Sequence, residues 1–164
     1  MEARERVAQL YLEAREGVYR YLLTFGISAA QAQELTQDSF LRLYECMSQD
    51  EPIREPRAWL FRVAHNLALN ARKRERNCAP LDEILYASLR DGRQGPEDAL
   101  IDRQRMLRIS QAVTKLSPQQ KQVLALRANG LRFREIAETL EIGLSTVYEF
   151  LNRATRRLKK AADE

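Results

Sequence analysis

The sequence predicts an all-α protein made of two small helical domains joined by an acidic linker, and three observations carry that prediction. Ala, Leu, Arg, Glu and Gln dominate the 164 residues, with only six Gly and five Pro to interrupt them, a composition of strong helix formers. Apolar residues recur at three- and four-residue spacing, and no run alternates with the period of two that a half-buried strand needs. Residues 79–96 gather two prolines, two glycines and a scatter of acids, which reads as a linker between domains 1–78 and 97–164.

Each element follows from local pattern. Val7, Leu10, Tyr11, Ala14, Val18, Tyr21, Leu22 and Phe25 fall on one face of a first helix that closes near Gly26. Ser28 with Gln31 three positions on resembles a capping box, opening a second helix through Leu35, Phe40, Leu43 and Met47. The polar side of that helix carries Glu34, Gln37 and Asp38. A third helix starts at Pro56, tolerated in a first turn, and runs to about Arg76. Within the linker only Ile84 to Leu89 has a short helical pattern, and helix resumes at Glu97 to Leu116. Ser117, Pro118 and Gln120 then supply a cap, a first-turn proline and a capping-box glutamine for a helix that ends at Gly130.

The stretch after Gly130 is the most informative in the chain. Ile136, Ala137 and Leu140 mark a short helix; Gly143 is expected to permit a turn, and Ser145 to cap a basic helix beyond it. This is a helix-turn-helix pattern. On the second of its helices Val147, Phe150, Leu151, Ala154 and Leu158 share one sector. The opposite sector holds Ser145, Glu149, Asn152, Arg153, Arg156 and Lys160, a polar and mostly cationic face of the kind that enters a DNA major groove. The third helix has a comparable division, with Leu60, Val63, Ala64, Leu67 and Ala71 on one side. Arg62, His65, Asn66, Leu69, Arg72, Lys73 and Arg76 lie on the other, with Trp59 and Phe61 flanking the apolar stripe. Rings beside a row of cations suit single-stranded DNA, because bases stack on aromatic faces while cations follow phosphates; for each ring alone, core packing is the simpler reading.

Charge and rare residues narrow the function further. The net charge of +4 is uneven: 12 basic and 11 acidic residues in 1–78, 4 and 6 in 79–105, 11 and 6 in 106–164. The basic excess therefore sits with the helix-turn-helix, the footprint expected of a nucleic-acid partner, while charge alone would equally suit an acidic protein surface. Cys46, Cys78 and the single His65 have no metal-ligand spacing, and two thiols make no disulfide framework. No metal or cofactor is expected, and no nucleophile–base grouping suggests an enzyme. Met1 to Arg6 lacks the apolar core of a secretion signal, and no apolar run approaches membrane-spanning length; the expectation is a soluble, cytoplasmic protein without membrane insertion.

In this order the motifs resemble the extracytoplasmic-function, or group IV, sigma factors of bacterial RNA polymerase. Ala32 to Tyr44 is similar to the family's core-binding helix, region 2.2; Pro56 to Ala68 to its promoter-melting helix, regions 2.3 and 2.4; and Leu116 to Val123 with the helix-turn-helix to region 4. The resemblance covers nearly the whole chain. It implies that Glu34, Gln37 and Asp38 meet the beta-prime clamp of core polymerase, with the beta flap as a further partner surface. It implies that Trp59, Arg62, His65, Asn66, Asn70, Arg72, Lys73 and Arg76 serve -10 DNA, and that a base is extruded into a pocket to which Asn66 contributes. For the -35 element it implies Ser145, Thr146, Tyr148, Glu149, Asn152, Arg153, Arg156 and Lys160. Departures from the pattern bear on specificity: Asn70 stands where many members have aspartate, and Tyr148 and Glu149 where arginine and serine are common. The linker acids Asp82, Glu83, Asp91, Glu97 and Asp98 would lie along the path of template and nascent RNA. An anti-sigma factor is an implied partner.

Two other classes remain open at this level. One is a response-regulator type of helix-turn-helix regulator, against which the first half shows no strand–helix receiver pattern. The other is a polymerase-binding adaptor without promoter recognition, favoured by Glu149 and disfavoured by Arg62, Asn66, Arg72 and Lys73.

Overall fold

The computed structural model describes residues 2–49, 52–74 and 98–164. All regular structure among them is helical: α1 (Ala3–Leu23), α2 (Ala29–Ser48), α3 (Pro56–Arg74), α4 (Asp98–Thr114), α5 (Pro118–Ala128), α6 (Phe133–Leu140) and α7 (Leu144–Asp163). The linker, its expected helical piece Ile84 to Leu89, Arg76 and Cys78 lie outside the described residues. No helix among those described is long and apolar enough to cross a membrane.

The first three helices form one bundle. The α1 stripe read from the sequence is its core: Ala14, Val18, Tyr21, Leu22 and Phe25 are buried, while Leu10 and Tyr11 pack at its edge. From α2 come Ala32, Leu35, Phe40 and Leu43, and from α3 Leu60, Phe61, Ala64 and Ala68. Phe61 is thus a core ring, set edge-on to Tyr21 at 5.8 Å between centroids. Gly26, at φ 80°, turns the chain out of α1, and the Ser28 hydroxyl accepts from Gln31 N at 3.2 Å to start α2.

The second unit is built on α4–α7, with Val113, Leu116, Val123, Leu126, Leu131, Ile136, Val147 and Ala154 buried. Its expected capping box is complete: Ser117 Oγ accepts from Gln120 N at 3.1 Å, and Gln120 Oε1 accepts from Ser117 N at 3.2 Å. The turn inside the helix-turn-helix is made differently from the expectation. Gly143 is extended, at φ −70° and ψ 152°, and the left-handed residue is Glu141, at φ 55° and ψ 45°. α7 accordingly begins at Leu144 with Gly143 as its N-cap, so Ser145 lies inside the helix rather than capping it.

Candidate nucleic-acid interface

The helix-turn-helix presents its polar face as the angular pattern requires. Val147 and Ala154 are buried and Phe150, Leu151 and Leu158 half-buried against the supporting helices, which leaves Ser145, Tyr148, Glu149, Asn152, Arg153, Arg156 and Lys160 exposed and Thr146 half-buried. Two of these side chains meet on the helix surface: Arg153 Nη2 and Glu149 Oε1 are 2.5 Å apart, one turn along. The cation and the carboxylate therefore sit side by side and pair with one another on this exposed face.

Tyr148 is not a free side chain. Its ring lies 4.4 Å from that of Phe133, the first residue of α6, tilted by 35°. The Arg127 guanidinium carbon in turn lies 4.8 Å from the Phe133 centroid, while Arg127 Nη1 donates to Leu131 O at 3.0 Å. This stack of cation, ring and ring joins α5, α6 and α7 at the surface. Nothing in the α6 periodicity singled out Phe133; the signal was an aromatic residue at a first helical position.

On α3 the angular pattern separates correctly for most residues and fails for one. Asn66, Asn70, Arg72 and Lys73 are exposed, and Trp59 and Arg62 half-buried. His65 is buried, and its Nδ1 stands 2.8 Å from the Tyr21 hydroxyl of α1. Burial lifts the Tyr21 phenol well above its usual range, so it stays protonated and shares a hydrogen bond with the imidazole. The same burial lowers the pKa of His65, partly countered by the negative charge of Glu141. His65 is thus turned inward as a hydrogen-bonded tie between α1 and α3, not outward with the cations.

Arg62 also has a partner that the sequence did not announce. Its Nη2 donates to Glu138 Oε2 of α6 at 2.6 Å, while its Nε is buried with no hydrogen-bond partner. The two helical units therefore touch through α3 and α6.

α2 exposes Glu34 and Gln37 and half-buries Asp38. Beside them, between α1 and α2, runs an open apolar groove lined by Val7, Tyr11, Leu12, Phe40, Leu41 and Tyr44, with Arg4 and Gln37 at its rim. Leu12 and Leu41 are strongly exposed. The sequence signal was available: both interrupt the polar side of their helices. Among the described residues no group of His, Cys, Asp and Glu could hold a metal ion.

Comparison with known proteins places this arrangement in a family. Residues 10–78 match Sigma-70 region 2, and residues 106–158 match Sigma-70, region 4. The chain is 30% identical to the ECF RNA polymerase sigma factor SigL of Mycobacterium tuberculosis, over 94% of this chain and 88% of that one. It is 28% identical to the RNA polymerase sigma factor YlaC of Bacillus subtilis, over 98% and 94%. Among solved structures, the fold is similar to CnrH in complex with the cytosolic domain of CnrY, at a TM-score of 0.58 and 21% identity over 98% of this chain and 89% of that one. It is also similar to the sigma factor RpoE in complex with the anti-sigma factor NepR from Bartonella quintana, at 0.61 and 18% over 95% and 96%. A helical first half that matches Sigma-70 region 2 leaves no room for the receiver of a response regulator, and the chain belongs to the extracytoplasmic-function sigma factors, alternative sigma factors that direct promoter-specific transcription.

Proposed function

We propose that this sigma factor meets core RNA polymerase through α2 and reads promoter DNA with two separate faces, -10 on α3 and -35 on α7. The observation that carries the reading is that one chain holds two polar helix faces, each backed by a buried apolar stripe in its own helical unit. Glu34, Gln37 and Asp38 supply acceptors for a basic polymerase surface, and the groove of Leu12, Leu41 and Tyr44 adds an apolar centre beside that polar rim. Asn66 and Asn70 offer amides to unstacked bases, while Arg62, Arg72 and Lys73 follow phosphate, with Arg76 and Trp59 assigned alongside them. On α7, Glu149 accepts from a cytosine amino group and Arg153 donates to guanine; Arg156 and Lys160 bind phosphate. His65 is reassigned to holding α3 in place.

On this reading residues 1–78 are region 2, 79–96 the linker and 97–164 region 4. The protein acts in the cytoplasm beside the polymerase, which supplies the chemistry, so the sigma factor itself is not an enzyme. CnrH and RpoE are each seen bound to a partner, CnrY and the anti-sigma factor NepR, and an anti-sigma factor is proposed here as well. The test is to mix the purified chain with bacterial core polymerase and sequence run-off transcripts from a genomic library. Discrete starts that share two spaced elements are expected. Stable polymerase binding without starts would refute promoter reading and leave an adaptor.

A further inference from the structure

The contact between the two helical units falls on the helix assigned to the -10 element. Glu138 of α6 bonds Arg62 of α3 at 2.6 Å, and Arg132 Nη2 stands 3.7 Å from Glu55 Oε1. A second point of closure joins α1 to the end of α5. Gly17 faces Asn129 so closely that a Cβ there would stand 2.0 Å from Asn129 Oδ1. Asn129 has little freedom to retreat, because its Nδ2 donates to Ala125 O at 2.7 Å. The absent side chain at Gly17 is what lets the units approach.

This packing is incompatible with reading two promoter elements at once. Elements named -35 and -10 lie about 25 base pairs apart, roughly 85 Å at 3.4 Å per base pair, whereas α3 and the helix-turn-helix are here in direct contact. A carboxylate on a guanidinium also has the chemistry of a backbone phosphate on the same group. The Arg62 guanidinium is only half used, since Nη2 serves Glu138 while Nε is buried and unpartnered.

We propose that the α3–α6 contact is a self-docking surface that holds the free chain closed, with Glu138 occupying on Arg62 the place that a DNA phosphate takes when the chain opens. The competition with DNA rests on the promoter reading above; the closure itself does not. Both partners of the ion pair remain about half exposed, at 44% and 56%, so the latch is weak and salt-sensitive, as a contact that must be released requires.

Small-angle scattering of the full chain tests closure. The parent at low salt should show a radius of gyration near 15 Å, the value for about 164 residues packed as one body. Glu138→Arg sets two cations together and should raise it above about 20 Å, the range for two bodies of about 75 residues held apart. The swap Arg62→Glu with Glu138→Arg should restore the compact value. Gly17→Gln opens the contact by bulk instead of charge and should also expand the chain. A parent already expanded, or a radius that none of these changes moves, would overturn the proposal.

The competition is read with a fluorescein-labelled single-stranded 20-nucleotide DNA of mixed sequence. Gly17→Gln leaves every charge and every proposed DNA contact in place, so its affinity should rise about two- to fivefold, the weight of a released surface pair. Opening without any change in affinity would refute Glu138 as a phosphate stand-in. Opening in a chain that neither binds this DNA nor supports initiation would leave the self-docking standing and remove the promoter reading.

Discussion

Removing one buried oxygen, in Tyr21→Phe, tests whether α3 is fixed from within the first bundle. The Tyr21 hydroxyl lies 2.8 Å from His65 Nδ1, and both residues are buried. Phe keeps the ring, with its edge contacts to Phe25 at 5.4 Å and Phe61 at 5.8 Å, so no large cavity opens. What remains is an imidazole nitrogen without a partner, at a cost of about 1–3 kcal/mol. For a helical unit of about 75 residues each kcal/mol moves Tm by about 4–8 °C, giving an expected fall of about 4–24 °C. Thermal unfolding followed by circular dichroism at pH 7.5 measures it, with Tyr44→Phe, on the exposed side of α2, as the reference for removing a hydroxyl that packing does not need. If the two variants melt together, the Tyr21–His65 tie has no structural weight, and His65 returns to the list of possible DNA contacts.

The same histidine gives a pH dependence. Its folded pKa is lowered, so as pH falls below about 6.5 the unfolded chain takes up a proton that the folded chain resists, and stability declines until the folded pKa is reached. Above about 6.5 the group contributes no slope; His65→Gln should flatten the acid side, and a slope that survives the substitution assigns it elsewhere. Glu149→Ala should relax selection at one or two -35 positions by about 1–3 kcal/mol without changing polymerase binding, as read by selection from a randomised promoter library; unchanged selectivity would exclude Glu149 from base reading. Arg156→Ala and Lys160→Ala should weaken binding to all sequences alike, each lowering the salt slope by about one, and a sequence-dependent loss would show that they read bases instead. Glu141→Gly relieves left-handed strain of about 1–2 kcal/mol against about 0.5–1 kcal/mol of glycine's extra entropy cost, a net of about 0.5–1 kcal/mol, and should raise the Tm of its unit by about 2–8 °C; a lower Tm would mean that the Glu141 side chain contributes more than its backbone costs.

The local part of this molecule was legible in its sequence. Helix starts at Ser28 and Ser117 are written in the side chain that caps and the one three residues on, and the apolar stripe of α7 alone predicts which side it buries. The sequence points to Gly143 for the turn because glycine is the residue expected at a bend, yet the left-handed conformation falls to Glu141, two positions earlier. Helical angle sets His65 among the cations because it carries no information on Tyr21, 44 residues away on another helix. The Arg62–Glu138 pair spans 76 residues and lies equally beyond any local pattern. Helical angle is therefore a better guide to exposure on α7, whose opposite face packs within its own unit, than on α3, which is touched from two sides.

The stack of Arg127, Phe133 and Tyr148 has a mechanical consequence. It fastens α6 to α7 at their outer edge, so that surface contacts as well as the buried face hold the angle between the two helices. On the proposed reading the pair would meet DNA with its orientation set when the domain folds and not during the encounter. Little order would then remain to be imposed on binding, and selectivity among closely related promoters would rest on fit.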